Sequence, residues 1–419
     1  MGTWREAHWA PEESSGLSRA DRRGGGYRTY VPNQLCGLPI VFSPEVDQLL
    51  ARAERAVRAL RGGPDLAGIA RFLLRSEAIA SSRIEGITPT ARNVALAELG
   101  PEAARVTAQA RLVANNMTVV RQATSRLVAT ASITVDDITQ LHAQLLREQP
   151  QLHGIRQVQN WIGGSTHNPI GAQFVPPAPD EVPGLMADLV AYLNGATHAP
   201  IVQAALVHAQ FETIHPFSDG NGRVGRALIH TVLTRRGLTS DAILPVSLIL
   251  ATFRDRYVTG LSGFRHEDSP GATEAACAQW IQLFAEVVLH SAEQAMELGQ
   301  SLEALRVAWD ERLSSYRQAK GAARSARADS ALVGILGDLP STPVLTPRTA
   351  AQIHSVSTTA ALKALDELAA AGILTVKRLD RKISAYLADE VLDLVTLSER
   401  QLASTRFDTR LSPPVRPVP

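Results

Sequence analysis

Twelve consecutive residues concentrate the chemistry of this chain: His215-Pro216-Phe217-Ser218-Asp219-Gly220-Asn221-Gly222-Arg223-Val224-Gly225-Arg226. The apolar helical period ends at Ile214, and Pro216 cannot continue a hydrogen-bond ladder, so a helix stops before His215. A new helix is expected from Gly222 or Arg223 to Arg236, with Gly237 as its stop. Asp219-Gly220-Asn221-Gly222 then forms a tight turn at a helix N-terminus. Its glycines permit positive φ and close approach of a ligand. Consecutive amides at the positive end of a helix make an anion cradle. Arg223 and Arg226 share a face of the first turns. Two cations there oppose the helix dipole, a placement that makes sense when phosphates occupy the site. Asp219 is a hard oxygen ligand, and Mg2+ is normally held by one or two carboxylates plus substrate phosphates. His215 stands where an imidazole can take a proton from an incoming hydroxyl. Cradle, arginine clamp, magnesium carboxylate and base together form a phosphoryl- or nucleotidyl-transfer set. Alone, Asp-Gly-Asn-Gly is a common turn. The EF-hand alternative fails because Gly222-Arg223 follows Asn221 and the closing Glu is missing. No G-x-x-x-x-G-K-[ST] run and no kinase signature occurs, which excludes those nucleotide folds.

Helical patterns must position this loop. Ser43-Pro44-Glu45 opens a helix that runs to Arg61 and stops at Gly62-Gly63-Pro64. Further helices are expected at about 66–85, 91–126, 135–147, 180–194, 199–214, 222–236, 250–263 and 272–307. The stretch 150–179, with Trp161-Ile162-Gly163-Gly164 and Phe174-Val175-Pro176-Pro177, reads as a β-hairpin. Beyond a composition shift near 320, residues 328–395 read as helix, turn, helix and two short strands. Residues 1–26 are expected to be disordered and 396–419 to be a loose tail. The remaining divisions are a helical region at 27–120, a core at 121–310 and a C-terminal module at 320–395.

The 419 residues are 45% hydrophobic and 20% charged with a net charge of +1. The length implies two or three domains, and the charge excludes a global field that would steer the chain to nucleic acid or an anionic membrane. Two cysteines are too few for a disulfide framework or a cysteine zinc site, so a reducing cytoplasm is the expected location. No secretory signal and no membrane-spanning run is read from the sequence.

The twelve-residue run resembles, with no departure, the signature H-P-F-x-[DE]-G-N-G-R-x-x-R of the Fic family of protein adenylyltransferases. The resemblance implies a mainly α fold: a Fic-type helical core with a β-hairpin flap. It implies that His215 is the general base and that Asp219 binds Mg2+. The backbone at Gly220, Asn221 and Gly222 would hold the α-phosphate of ATP, and Arg223 and Arg226 the β- and γ-phosphates. A Ser, Thr or Tyr hydroxyl of a target protein, or of the chain itself, would attack the α-phosphorus and release pyrophosphate. Arg156 to Gly164, through Phe174 to Pro177, is similar to the family's flap, in which Ile162, Gly163 and Gly164 would align the target as an added strand. Tyr257 is similar in place to a tyrosine lining the adenine pocket.

A second resemblance lies upstream. Ser81-Ser82-Arg83-Ile84-Glu85-Gly86 is similar to the family's inhibitory motif, [ST]-x-x-x-E-[GN]. Glu85, at the negative end of a helix dipole, carries a cost of roughly 0.3–1 kcal/mol unless a cation meets it. The resemblance implies Arg226 as that cation, so that Glu85 disturbs the γ-phosphate; in some relatives the same Glu supports removal of AMP. The C-terminal module is similar to a winged helix-turn-helix. Its presumed recognition helix carries Thr358, Thr359, Lys363, Asp366 and Glu367, so contact with protein, or a homodimer, ranks above DNA. The alternatives to an AMP-transferring enzyme are a de-AMPylating or other phosphate-group-transferring Fic enzyme and a DNA-binding regulator.

Overall fold

The helical spacing of apolar residues along most of the chain is realised in a computed structural model, which describes residues 1–10, 16–60, 67–100, 106–239, 243–269, 271–321, 330–380 and 383–405. It is mainly helical. In chain order the elements are β1 (Gly2–Trp9), β2 (Gly25–Pro32), α1 (Pro44–Ala59), α2 (Ala70–Ile84), α3 (Ala91–Ala97), α4 (Ala108–Thr124), α5 (Arg126–Ala129), α6 (Val135–Leu145), α7 (Val182–Asn194), α8 (Pro200–Ile214), α9 (Asn221–Arg235), α10 (Val246–Thr252), α11 (Arg254–Phe264) and α12 (Ala272–Ala319). Then follow α13 (Ala331–Asp338), β3 (Val344–Leu345), α14 (Pro347–Ile353), α15 (Thr358–Ala370), β4 (Thr375–Arg378), β5 (Ser384–Leu387) and α16 (Asp389–Thr405). The chain divides into two compact units. One takes in Met1–Arg55, Thr118–Thr239 and Arg254–Leu289; the other takes in Ala56–Met117, Ser240–Phe253 and His290–Pro419. These units interleave along the sequence.

In the first unit, α8 is buried at every position from Ile201 to Ile214, its polar side chains included. α9 packs along it and is itself buried from Asn221 to Leu233. Gly225 permits the close approach: a Cβ there would sit 2.9 Å from Glu212 Oε1 and 3.0 Å from the Phe211 ring. Thr231 Oγ1 donates to the Ala123 carbonyl (3.0 Å), tying α9 to α4.

The expected disorder of residues 1–26 is corrected in part: Gly2–Trp9 pairs antiparallel with Gly25–Pro32 in a continuous register from Gly2↔Pro32 to Trp9↔Gly25, while residues 11–15 lie outside the described residues. The Arg and Gly clusters of this segment hid its cross-strand aromatic pairs. Trp4 meets Tyr30 edge-on at 5.0 Å, and Trp9 meets Tyr27 at 6.5 Å; such pairs stabilise a two-stranded ribbon.

In the second unit, α2 is held by buried polar contacts. Glu77 accepts from the backbone N–H of Ser247 (2.8 Å) and from its hydroxyl, and so caps the start of α10. Asn116 Nδ2 donates to the Ala78 carbonyl at 3.2 Å. In the C-terminal module, α13 and β3, which are not among the expected elements, precede α14, α15, β4 and β5; Thr346 and Ser357 are the N-caps of α14 and α15, and a three-stranded antiparallel sheet is ordered β3-β5-β4. The expected loose tail at 396–419 is corrected in part, since α16 continues to Thr405; residues 406–419 lie outside the described residues. α12 runs twelve residues past the expected 307, to Ala319. The Gly62-Gly63-Pro64 stop and the Arg381-Lys382 part of the wing tip also lie outside the described residues.

Candidate functional site

The site grows from the junction of α8 and α9. His215 is the C-cap of α8, at φ 49° and ψ 59°, a left-handed conformation that costs a residue with a Cβ roughly 1–2 kcal/mol. Its N–H donates to the Phe211 carbonyl (2.9 Å) and its carbonyl accepts from Arg156 Nε (2.9 Å). Arg156 binds this turn from both ends. Its backbone N–H donates to the Pro216 carbonyl (2.9 Å), and its Nη2 reaches the carbonyls of Pro177 (2.5 Å) and Ile214 (3.4 Å). Burial pushes the Arg156 guanidinium down to about 10, which leaves it a cation at neutral pH.

The rest of the loop is bracketed with similar thoroughness. The Asn221 side chain accepts from the Phe217 N–H and donates to the Phe217 carbonyl, both at 2.8 Å, and Asn160 Nδ2 adds a second donor to that carbonyl at 3.0 Å. The Phe217 ring stacks on His142 of α6, 3.9 Å between centroids and 11° from parallel. His142 Nε2 donates to the Asp219 carbonyl at 2.9 Å. Burial is the main cause that pushes the His142 imidazole down to about 4, so it is neutral at physiological pH. Gly220, the N-cap of α9, has φ 80°, and a Cβ there would lie 2.8 Å from Leu145 Cδ2. Both conformation and space demand glycine.

The result is a fixed helix start. The first helical bond of α9 runs from Val224 N–H to the Gly220 carbonyl (3.1 Å), so the amides of Asn221 and Gly222 lie ahead of it at the positive end of the helix. Arg223 and Arg226 are 2% and 1% exposed. Arg223 Nη2 lies 3.3 Å from each Asp219 carboxylate oxygen, and Asp219 Oδ1 also accepts from the Gly220 N–H at 2.6 Å. The Asp219 side chain keeps 54% exposure. Two buried guanidiniums at the amino end of one helix are electrostatically costly by themselves and are suited to a polyanion.

The expected flap hairpin reduces to one antiparallel bridge, Ile162↔Phe174, with Ile162 N–H donating to the Phe174 carbonyl at 2.8 Å. Gly163 and Gly164 follow at φ 74° and 78°, and the left-handed pair curls the chain away from further pairing. A Cβ on Gly163 would press to 2.8 Å on the Gln173 side chain. Phe174 lies under the Arg265 guanidinium at 4.0 Å, and Arg265 in turn donates to the Glu212 carbonyl (3.0 Å) and to Thr213 Oγ1 (3.2 Å). The flap is thereby tied to the last turn of α8, next to His215. The β1–β2 ribbon braces its other side: Trp9 meets Trp161 edge-on at 5.4 Å, and Asp21 accepts from Ser165 Oγ at 2.7 Å.

Tyr257, expected at the adenine pocket, is 4% exposed and hydrogen-bonded to His208 Nε2 at 2.9 Å beside Trp280. Its surroundings are those of a core side chain. Glu85, in the second unit, is the C-cap of α2. Gly86 follows at φ 77°, with its N–H on the Arg83 carbonyl (2.9 Å) and the Ile87 N–H on the Ser82 carbonyl (3.0 Å). This is a Schellman ending, and it fixes Glu85 as the residue that caps the helix. Sequence reasoning missed the positioning roles of His142, Asn160, Arg156 and Arg265. All four reach the loop or the flap from distant sequence, and none carries a local signal.

An imidazole at the end of one helix, set beside the cationic amino end of the next, is an arrangement suited to phosphate groups. Residues 132–233, which contain the whole loop, match the Fic/DOC family. The chain is similar to the protein adenylyltransferase fic-1 of Caenorhabditis briggsae, 33% identical over 138 residues, or 32% of this chain and 25% of that one. It is similar as well to the protein adenylyltransferase Fic of Drosophila melanogaster, 36% identical over 116 residues, or 26% of this chain and 22% of that one. The matches span about a quarter of the length of these curated relatives. A solved structure of a Fic family protein from Desulfovibrio desulfuricans G20 is similar at a TM-score of 0.47 and 20% identity, over 83% of this chain and 97% of that one. Among the described residues, no helix is long and apolar enough to cross a membrane.

Proposed function

We propose that this protein transfers AMP from ATP to a Ser, Thr or Tyr hydroxyl of a target protein or of itself, and that Glu85 restrains the reaction. The observation that carries this reading is the junction itself. Within the span from His215 to Arg226, one rigidly bracketed loop joins a proton acceptor to a phosphate-receiving helix start with two buried arginines. His215 takes the hydroxyl proton as the oxygen bonds to the α-phosphorus, and the bond from that phosphorus to the bridging oxygen breaks, releasing pyrophosphate. The amides at Gly220, Asn221 and Gly222 take up charge on the α-phosphate, and Arg223 and Arg226 hold the rest of the phosphate chain. A target segment adds as a strand at Ile162, Gly163 and Gly164.

Asp219 fits Mg2+. Its carboxylate is exposed beside the helix start. Mg2+ is the cation that takes one or two carboxylates and completes its shell with water and substrate phosphates. When bound, it neutralises charge on the phosphate chain. Glu85 supplies the brake from the tip of α2, where the Schellman ending fixes it. In the C-terminal module, Asp366 accepts from the Tyr386 hydroxyl and Glu367 pairs with Arg317 at 2.9 Å. These acids on the presumed recognition helix favour a protein partner, or a second copy of the chain, over DNA.

Mass spectrometry of the intact chain after incubation with ATP and Mg2+ tests the reading. Glu85→Gly gains AMP faster than the wild type, and His215→Ala gains none. Equal AMP incorporation by wild type and Glu85→Gly removes the brake; AMP incorporation by His215→Ala removes the base.

A further inference from the structure

The second unit holds a cavity of its own. A cavity of about 60 Å³ opens between α2, α3 and the start of the C-terminal module. Arg75, 1% exposed, lines it. Two of the three guanidinium nitrogens are engaged: Nε donates to Glu98 Oε1 at 2.7 Å, and Nη2 donates to the Ser341 carbonyl at 3.0 Å. The third, Nη1, is buried and has no partner among the described residues. A buried guanidinium nitrogen without an acceptor is costly, and it is the kind of group that marks a ligand position.

The charges around it are unbalanced in one direction. Glu98 bridges Arg75 and Arg71, with Arg71 Nη2 on Glu98 Oε2 at 2.8 Å. Two cations and one carboxylate leave one positive charge at the cavity wall. The hydroxyl of Thr342 is already spent on the Asp338 side chain at 2.8 Å. The remaining walls include Leu99, Val344 and Ile353.

We propose that this cavity binds a small carboxylate, its carboxyl group on Arg75 Nη1 and a short apolar body against Leu99, Val344 and Ile353. One free donor nitrogen and apolar walls match a carboxylate that carries a few carbons. A phosphate dianion is a poor match, because it needs more donors and more positive charge than the cavity offers. Arg75 lies on α2, ten residues before Glu85, so an occupant touches the same helix that Glu85 caps.

Titration calorimetry on the full chain tests this with butyrate, with butylamine as its counterpart of opposite charge, and with inorganic phosphate. Butyrate binds at one site with a dissociation constant on the order of millimolar, as so few atoms allow. Butylamine and phosphate bind at least about tenfold more weakly, a difference of about 1.4 kcal/mol. Arg75→Gln and, separately, Leu99→Phe, which narrows the cavity without altering a charge, each weaken butyrate at least about tenfold. Should Arg75→Gln fail to fold, Leu99→Phe and the side-chain nitrogen resonances of labelled arginine in the wild type decide: butyrate shifts one buried arginine selectively. Absence of butyrate binding overturns the proposal. So does binding that Leu99→Phe leaves unchanged, or phosphate binding as tight as that of butyrate.

Discussion

His142 sits outside the twelve-residue loop yet holds its centre, and replacing it isolates how much the loop's rigidity matters. It makes two contacts of different kind: a hydrogen bond from Nε2 to the Asp219 carbonyl and a parallel stack on Phe217. His142→Phe keeps the stack and removes the hydrogen bond. A neutral hydrogen bond of this kind contributes about 0.5–1.5 kcal/mol, and leaving its partly buried acceptor without a donor costs about 1–3 kcal/mol. That carbonyl immediately precedes Gly220, so the relaxation moves the peptide that starts the phosphate cradle. A shift of about 1 Å in a group that positions substrate lowers rates on the order of a hundredfold. In the Glu85→Gly background, the initial rate of AMP incorporation should therefore fall about 10- to 100-fold in His142→Phe, while the stability loss stays near 1–2 kcal/mol. His142→Ala also loses the stack and opens a cavity, which costs about 2–5 kcal/mol in stability. The assay pairs AMP incorporation, followed by mass, with thermal melting. A His142→Phe protein that melts lower by the expected amount but transfers AMP at the unchanged rate would refute the idea that His142 positions the cradle.

Three further outcomes follow from the same geometry. His142 and His208 are buried imidazoles pushed down to about 4 and about 3 from an ordinary 6.5. The unfolded chain therefore binds protons that the folded chain refuses; their contribution to stability is present above pH 6.5 and is lost as the pH falls toward 4. Denaturant melts between these values should show stability rising with pH, with a shallower slope in His142→Phe. Arg156→Lys cannot reproduce the fork that reaches the carbonyls of His215, Ile214 and Pro177; AMP incorporation should fall at least about tenfold, a loss that Arg156→Lys sharing the wild-type rate would contradict. Gly225→Val drives a branched side chain into Glu212 and Phe211 and should lower stability by about 1–3 kcal/mol, measurable by urea melting.

The loop was legible because its logic is local. Pro216 ends one helix, Gly220 takes the left-handed turn that only glycine fits, and the arginines fall three apart on the next helix, all within one short stretch. The end of α2 was legible for the same reason, since Gly86 supplies the Schellman turn after Glu85. What escaped depends on partners remote in sequence. His142 lies 77 residues before the carbonyl it bonds, and Arg156 lies 59 before His215. A histidine on a helix and an arginine before a glycine-rich stretch look the same whether or not the fold brings them to a loop. The β1–β2 ribbon escaped similarly, because Trp4 and Trp9 find their ring partners only across the register. The flap fell between the two: its short apolar pieces around Gly and Pro read as a β-hairpin, but the left-handed Gly163-Gly164 pair stops the pairing after one bridge.

The central claim is that the amino end of α9 receives the phosphates of ATP so that the bond forms at the phosphorus nearest the ribose. Incubating Glu85→Gly with ATP labelled either at the α- or at the γ-phosphorus tests it directly. Label from the α-position should appear covalently on protein and label from the γ-position should leave as pyrophosphate, with both signals absent in the Glu85→Gly, His215→Ala double variant. Transfer of the γ-label to protein, or α-label transfer that persists without His215, would contradict the account.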